Sequence, residues 1–155
     1  MTPNIADFLN NDDKQKLNQR LYAVGSVFIA EFDENDGITP KGNDKFRNKI
    51  FVVLGHDVNG AVLGAVFINS GINSTNRNNE VLYLHQYPLK RQDHPNIIKH
   101  DSFVNCAHVI PVYIDNLKNC KFLDKLNSDH FDLIFETVKS SPIIKNKIKK
   151  RFGLI

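Results

Sequence analysis

Short apolar segments joined by turns and polar loops make up the middle of this chain, and they constrain its fold most strongly. The clearest pair, Lys49–Leu54 and Val62–Asn69, flanks a turn whose Asn59-Gly60 step is typical of a β-hairpin. The other predicted strands are Val27–Phe32, Val81–His85, Ser102–Ala107 and Val109–Ile114. Parallel strands need long crossover connections, and no stretch between Gly25 and Ile114 has room for crossover helices. The segments therefore predict an antiparallel sheet.

Segments with helical periodicity flank the predicted sheet. A first helix begins at Thr2-Pro3, and a second runs from Asp12 or Asp13, with Leu17, Leu21 and Val24 forming one apolar stripe. Two further helices are predicted over 127–139 and 142–152, the last opening at Ser141-Pro142. The segments Asp33–Asp44 and Gly71–Asn79 are predicted to be loops, because Asp, Asn and Gly dominate them.

We predict one α+β domain built on a small, strongly bent antiparallel β-barrel with N-terminal and C-terminal helices. Its parts are an N-terminal helical arm (1–24), the barrel (25–114) and the C-terminal helices (115–155). The predicted core consists of apolar residues in strand or helix register: Phe28, Ile29, Phe51, Val53, Val66, Ile68, Phe103, Val104, Ile134 and Phe135.

Composition excludes several classes of protein. The chain has 155 residues, 41% of them hydrophobic and 24% charged, which is ordinary for a globular domain. No apolar run approaches the ~20 residues of a membrane helix, and the N-terminus does not resemble a secretory signal. Two cysteines form neither a disulfide framework nor a zinc site, so we expect no metal and no cofactor. We expect a soluble, reduced, cytoplasmic protein.

Charge is distributed unevenly along the chain. Residues 1–44 are acidic, whereas no acid follows Glu136 and the tail carries six cations, of which Lys145, Lys149 and Arg151 are predicted to bind RNA. Such a cluster attracts a phosphate backbone. The alternative is a solvated helix face whose cations suit a helix C-terminus.

Polar residues also stand at the ends of predicted strands. Arg47 and Lys49 precede an apolar run, and Asn69 and Ser70 end the next strand. In a small bent sheet such strand ends meet in one groove, and cations there stabilise the charge of a phosphoryl transition state. The alternative is that strand ends are polar because they meet water.

Several segments resemble one family of proteins. Gly25–Phe32 (GSVFIAEF) is similar to the first strand of the PemK/MazF-type toxins, Lys49–Leu54 (KIFVVL) to their R-P-V-V-V-I strand, and Val66–Ser70 (VFINS) to their apolar-I-T-S strand. Ser102–Val109 (SFVNCAHV) is similar to their S-V-V-x-C-D-Q-I strand, and Asp115–Val138 to their final turn and helix. The resemblance covers about three quarters of the chain. It implies an SH3-like barrel and a metal-independent endoribonuclease that cleaves mRNA in a bacterial toxin–antitoxin pair.

The chain departs from the family pattern at the positions that carry activity. Lys49 and Ile50 stand where the family has Arg-Pro, and Asn69 stands where it has threonine. Asn105 and Ala107 fill the positions at which some members carry an Arg–x–Asp pair. Lysine lacks the guanidinium fork that binds phosphate in bidentate fashion. We therefore predict weak or lost ribonuclease activity.

The residues that the resemblance implies for catalysis are Arg47 or Lys49 on the phosphate, with Asn69 and Ser70 positioning the backbone and Asp33–Asp44 gating the groove. The partners it implies are single-stranded RNA, an antitoxin and a second copy in a homodimer, without a membrane. Two alternatives stay open. One is an inactive RNA- or protein-binding module of the same fold, and the other is a structural protein that associates through its acidic arm and basic tail.

Overall fold

The structure, a computed structural model, describes residues 10–33 and 46–155. The predicted helix at Thr2-Pro3 and the predicted loop Asp33–Asp44, apart from Asp33, lie outside the described residues. The elements follow in this order: α1 (Asn11–Leu21), β1 (Ser26–Phe32), β2 (Arg47–His56), β3 (Val62–Asn69), α2 (Ser74–Asn78), α3 (Glu80–Leu84), β4 (Gln86–Leu89), β5 (Ser102–Asn105), β6 (Ile110–Tyr113), a 3₁₀ turn (Ile114–Asn116), β7 (Lys118–Lys125), α4 (Ser128–Lys139) and α5 (Asn146–Arg151). None of the described helices has the length and apolar character to cross a membrane.

The strands form one antiparallel sheet in the order β4-β5-β3-β2-β1-β7, and β6 also pairs with β3. The sheet forks at β3, which pairs with β6 through Val62–Ala65 and with β5 through Ile68 and Asn69. Over the described residues no pairing joins the edge strands β4 and β7. The predicted mixture of helices with an antiparallel sheet is therefore confirmed. The prediction of a closed barrel is wrong, because β7 pairs with β1 at the outer edge and not with the strands β4, β5 or β6 on the forked side.

Apolar residues are buried on both faces of the central strands. Along β2, Val52 and Leu54 belong to a cluster with Ile134 of α4 and Phe152, which directly follows α5; we call this side the helix-covered face. The intervening residues point the other way, to the aromatic face, which is lined by Phe28, Phe32, Phe51, Val53 and Phe67. This period of two is the ordinary alternation of a strand.

Most of the predicted core is buried. The buried members are Phe28, Phe51, Val53, Val66, Ile68, Val104 and Ile134. Ile29, Phe103 and Phe135 are only partly buried. Ile29 and Phe103 each adjoin a buried residue of the same strand, as alternation requires, whereas Phe135 lies on α4 next to buried Ile134.

Two segments differ from their predicted structure. Val81–His85 was predicted as a strand. Instead Val81–Leu84 belong to α3 and His85 is its C-cap, because the Asn79 side chain accepts a hydrogen bond from the Leu82 N–H at 3.1 Å and caps a helix there. Gly71–Asn79, predicted as an irregular loop, contains α2, which is capped in the same way by Asn73.

The C-terminal third contains a strand that the prediction lacked. β7 lies beyond residue 114, so the sheet extends to Lys125. It is an edge strand with a largely exposed surface, and it therefore has no apolar alternation by which to recognise it. α4 begins as predicted after its cap Asn127. The last helix begins at Asn146 and not at Pro142.

Helix α1 is attached through polar contacts. The Gln15 side chain donates to the Val58 carbonyl at 2.9 Å, and the Asn18 side chain donates to the Gly60 carbonyl at 3.1 Å. Leu21 and Val24 of its predicted apolar stripe are exposed. The helix thus covers the β2–β3 turn without burying that stripe.

Candidate nucleic-acid interface

A cleft of about 710 Å³ lies where β2 begins and β3 ends. It contains all four predicted strand-end residues, Arg47, Lys49, Asn69 and Ser70. The remaining lining residues are Asn48, Phe67, Ile68, Gly71, Asn73, Asn76, Asn105, His108 and Ile110. The structure therefore brings together residues of β2, β3, α2, the end of β5 and the start of β6.

Strand register explains why the two cations share the cleft. Arg47 and Lys49 are two residues apart in β2, so both point to the same side of the sheet. Ile50 pairs with Ile68, which sets Lys49 beside Asn69 on β3. The Lys49 ammonium donates a hydrogen bond to Asn69 Oδ1 and lies 5.1 Å from the centre of the Phe67 ring.

Lys49 is chemically distinct from an ordinary surface lysine. Its partial burial lowers its pKa to about 8, and the positive charge of Arg47 contributes in the same direction. A lysine with this pKa is mainly cationic at neutral pH but exchanges its proton more readily than a solvated lysine.

Two amides in the cleft are oriented so that they present N–H groups. Asn69 Oδ1 faces Lys49, which can only donate, so the Asn69 NH₂ group is left for other partners. Asn105 Oδ1 accepts from Gln86 Nε2 at 2.9 Å and from the Ala107 N–H at 3.1 Å. The second hydrogen of the Gln86 amide goes to the Leu82 carbonyl at 3.2 Å, so Gln86 is anchored and holds Asn105 in place.

The charge of the cleft is positive over the part of the chain that the structure describes. Its described lining includes Arg47 and Lys49 but no aspartate or glutamate. Within that part Arg47 makes no ion pair. Ser70 and His108 are exposed at the cleft and can also contact a bound molecule. The arrangement suits a ligand with several hydrogen-bond-accepting oxygens.

Sequence reasoning missed part of this lining. Asn73 and Asn76 lay in a segment interpreted as an irregular loop, although its Asn-rich run (INSTNRNN) follows directly on Asn69 and Ser70. His108 was not among the predicted site residues. In residues 10–33 and 46–155, no group of three or more His, Cys, Asp or Glu side chains is placed to hold a metal ion. Neighbouring Cys106 is fully buried, and burial raises the pKa of its thiol to about 12.

The predicted RNA-binding residues of the tail lie elsewhere. A Cβ atom on Gly55 or Gly64 would collide with Phe152, so the end of α5 packs on the helix-covered face at the far end of β2. That end is roughly 20 Å along the strand from Lys49, at about 3.3 Å per residue. Lys149 is buried, and its ammonium donates to the Ser141 carbonyl at 2.7 Å. Lys149 therefore does not fit the prediction of RNA binding, whereas Lys145 and Arg151 are exposed.

Comparison with solved structures gives the fold a counterpart. A chain of the MazE–MazF crystal structure (form III) from Deinococcus radiodurans is similar over 76% of this chain and 92% of that chain, with a TM-score of 0.50 and 12% sequence identity. No protein-family model and no curated protein matches the sequence. At this identity the similarity concerns the fold alone, and the chain has a MazF-like fold.

Proposed function

We propose that the protein binds the backbone of single-stranded RNA in this cleft, as a divergent toxin-type endoribonuclease whose cleavage activity is weak. The observation that carries the proposal is the composition of the lining: two cations and two donor-presenting amides converge, with no carboxylate on the described residues of the wall. The MazF-like fold supports it.

The hydrogen-bonding groups match a phosphodiester. Non-bridging phosphate oxygens only accept hydrogen bonds, and the free groups of Arg47, Lys49, Asn69 and Asn105 donate them. The guanidinium of Arg47 supplies the planar fork that Lys49 lacks. Binding through these cations releases counterions, so affinity should fall steeply with salt.

The cleft also holds groups for slow, metal-independent cleavage. In such a reaction the RNA 2′-hydroxyl attacks the adjacent phosphorus, a base takes its proton, and an acid protonates the departing 5′-oxygen. We assign the base to His108 and the acid to Lys49, whose lowered pKa of about 8 eases proton transfer. Loss of one fixed donor to a developing oxyanion typically costs ~10²–10³ in rate. Asn105 and Ala107 in place of a charged pair therefore predict slow turnover.

Two measurements on one pair of proteins test the proposal. Wild type and Arg47→Ala/Lys49→Ala are compared for RNA affinity over a range of salt and for RNA cleavage on a gel, with and without chelator. We expect the double variant to lose affinity and its log–log salt slope to fall by about 1.4, with wild-type cleavage slow and unaffected by chelator. Robust cleavage that persists in the double variant would refute the site. Absence of salt-sensitive binding by wild type would remove the RNA function and leave a protein-binding module.

Partners are proposed by analogy with the complex named for the structural neighbour. An antitoxin-like protein partner and a homodimer are the expected assemblies. The antitoxin-like partner is tested by inducing expression in cells: we expect growth arrest, and we expect a co-expressed neighbouring gene product to relieve it. Light scattering at micromolar concentration tests the second, and a monomer mass contradicts it.

A further inference from the structure

His94 is buried in the segment between β4 and β5, outside the cleft, and its two ring nitrogens have different surroundings. Only 5% of the residue is exposed. Its Nε2 accepts a hydrogen bond from the backbone N–H of Asn127 at 3.1 Å. Its Nδ1 is buried and has no hydrogen-bond partner among the described residues. Because an accepting nitrogen carries no hydrogen, the ring is neutral and carries its hydrogen on Nδ1.

The hydrogen bond to His94 joins the segment after β4 to the start of α4. Asn127 is the N-cap of α4. The His94 carbonyl accepts from the N–H groups of Ile97 and Ile98 at 3.1 and 3.2 Å. Both isoleucines belong, with Ile134 of α4, to the cluster of the helix-covered face. The contact between His94 and Asn127 therefore lies at the rim of that cluster and helps to hold the start of α4 on it.

A proton added to His94 is incompatible with this contact. In the cationic ring both nitrogens carry hydrogens and donate. The Nε2–H group would then face the Asn127 N–H, and a donor at this buried site would lose its acceptor. No described residue offers an acceptor at Nδ1 that could stabilise the cation. The charged ring and the start of α4 must therefore separate.

The titratable neighbours of His94 take up charge more easily than His94 does. The His130 ring of α4 lies 5.2 Å from the His94 ring, measured between centres. Its Nδ1 contacts the Tyr87 hydroxyl of β4 at 2.7 Å, and its Nε2 lies 3.8 Å from a carboxylate oxygen of Asp93. His130 can thus gain a proton and donate to both groups. Asp124 of β7, the other carboxylate near His94, has both oxygens hydrogen-bonded elsewhere.

We propose that His94 is an acid-sensitive switch: when its ring gains a proton, the start of α4 is released from the segment 90–98. Burial, and then the charge of His130, lowers the pKa of His94 below its ordinary value of 6.5, against the opposing effect of Asp93 and Asp124. The released state binds the proton more readily, so the contact is intact above pH 6.5 and weakens as pH falls below that value. The switch concerns the helix-covered face and does not depend on RNA binding.

Hydrogen exchange of wild type and His94→Gln tests the switch. Glutamine keeps an acceptor for the Asn127 N–H but does not titrate. The exchange rates of the two proteins are compared at the same pH, so that the intrinsic pH dependence of exchange cancels. Between pH 7.5 and pH 5.5 the ratio of wild-type to variant rates should rise up to about 10-fold over residues 90–98 and 128–135, the limit for one proton at one unit below pH 6.5. Over β2 the ratio should stay constant.

His130→Asn is the matched control, because it removes the neighbouring imidazole and keeps a polar group for the Tyr87 hydroxyl. Acid should loosen α4 in this variant as it does in wild type, since the contact between His94 and Asn127 is retained. Loosening that disappears in His130→Asn would assign the effect to His130 and overturn the proposal.

Two further results would overturn the switch. One is a rate ratio that does not change with pH, and the other is an equal rise over β2, which indicates global unfolding. If His94→Gln does not fold, ¹H–¹⁵N spectra of the wild-type imidazoles decide. We expect a neutral His94 ring with its hydrogen on Nδ1 at pH 7.5, and titration below pH 6.5 together with faster exchange of the Asn127 amide. A hydrogen on Nε2 at pH 7.5 contradicts the proposal.

Discussion

The ammonium of Lys49 on β2 donates a hydrogen bond to Asn69 Oδ1 on β3, across the strand pair that forms one wall of the cleft. The bond uses one of the three N–H groups of Lys49 and leaves two for a ligand. It also turns the Asn69 NH₂ group away from the lysine. One contact thus orients two donors, and partial burial of Lys49, with Arg47 nearby, lowers its pKa to about 8.

RNA binding should depend on pH through Lys49. Its cationic form binds phosphate, so affinity should be greatest below pH 8 and should fall as pH rises through the pKa of about 8. By linkage, the affinity should be about 10-fold lower at pH 9 than at pH 7. The measurement is the affinity for a 2′-O-methyl oligonucleotide of adenine and cytosine, whose bases do not titrate in this range. Lys49→Arg stays charged and should bind equally at both pH values; a parallel loss in that variant would assign the effect to another group.

Lys49 should also make folding less favourable at neutral pH. Its pKa is lowered from 10.5 in a solvated lysine to about 8 in the folded protein, so the unfolded chain binds more protons between these values. The penalty is fully present below pH 8 and disappears above about 10.5. Lys49→Met should therefore raise the free energy of unfolding at pH 7, with a smaller gain at pH 10. Urea denaturation at the two pH values measures this, and an equal gain at both would contradict it.

Local sequence signals predicted the centre of the sheet well. The Asn59-Gly60 turn and the alternation along β2 and β3 determine which residues face the cleft, so Arg47, Lys49 and Asn69 could be grouped before their contacts were known. The edges were less predictable. β7 is paired on one side only and has no buried face, and α3 depends on a cap by Asn79 that overrides the strand propensity of its valine and tyrosine.

The remaining cleft residues depend on tertiary contacts. Asn105 presents its NH₂ group only because Gln86, on the neighbouring strand β4, occupies its oxygen. Asn76 is buried and lines the cleft next to residues from the end of β3. Neither fact follows from residue type or spacing, since asparagine is ordinarily an exposed turn residue.

Lys145 and Arg151 should contribute to RNA binding only when the RNA is long. Both are exposed, Lys145 directly before α5 and Arg151 at its end. Phe152, which follows Arg151, packs on the opposite face of the sheet from the cleft cations, at the far end of β2. Lys145→Ala/Arg151→Ala should leave the affinity for a short oligonucleotide unchanged and reduce it several-fold for a long one at low salt. Binding assays with both lengths test this. Arg47→Ala/Lys49→Ala is the comparison, since it should weaken binding of both.

Packing of Phe152 on the sheet should couple the C-terminus to Gly64. A Cβ atom at position 64 would lie 2.5 Å from Cγ of Phe152, so the ring must move if alanine replaces glycine. We expect Gly64→Ala to lower the free energy of unfolding by about 1–3 kcal/mol, and Phe152→Ala to lower it by about 3–5 kcal/mol.

The double variant Gly64→Ala/Phe152→Ala should lower the free energy of unfolding by less than the sum of the two single-variant effects. The reason is that the added methyl group enters the space that the ring leaves. Urea denaturation of the four proteins gives the coupling energy. Gly71→Ala is the control, since a Cβ atom there meets nothing within 4 Å. Strict additivity would show that Phe152 does not press on Gly64, and would remove the packing that separates the basic tail from the cleft.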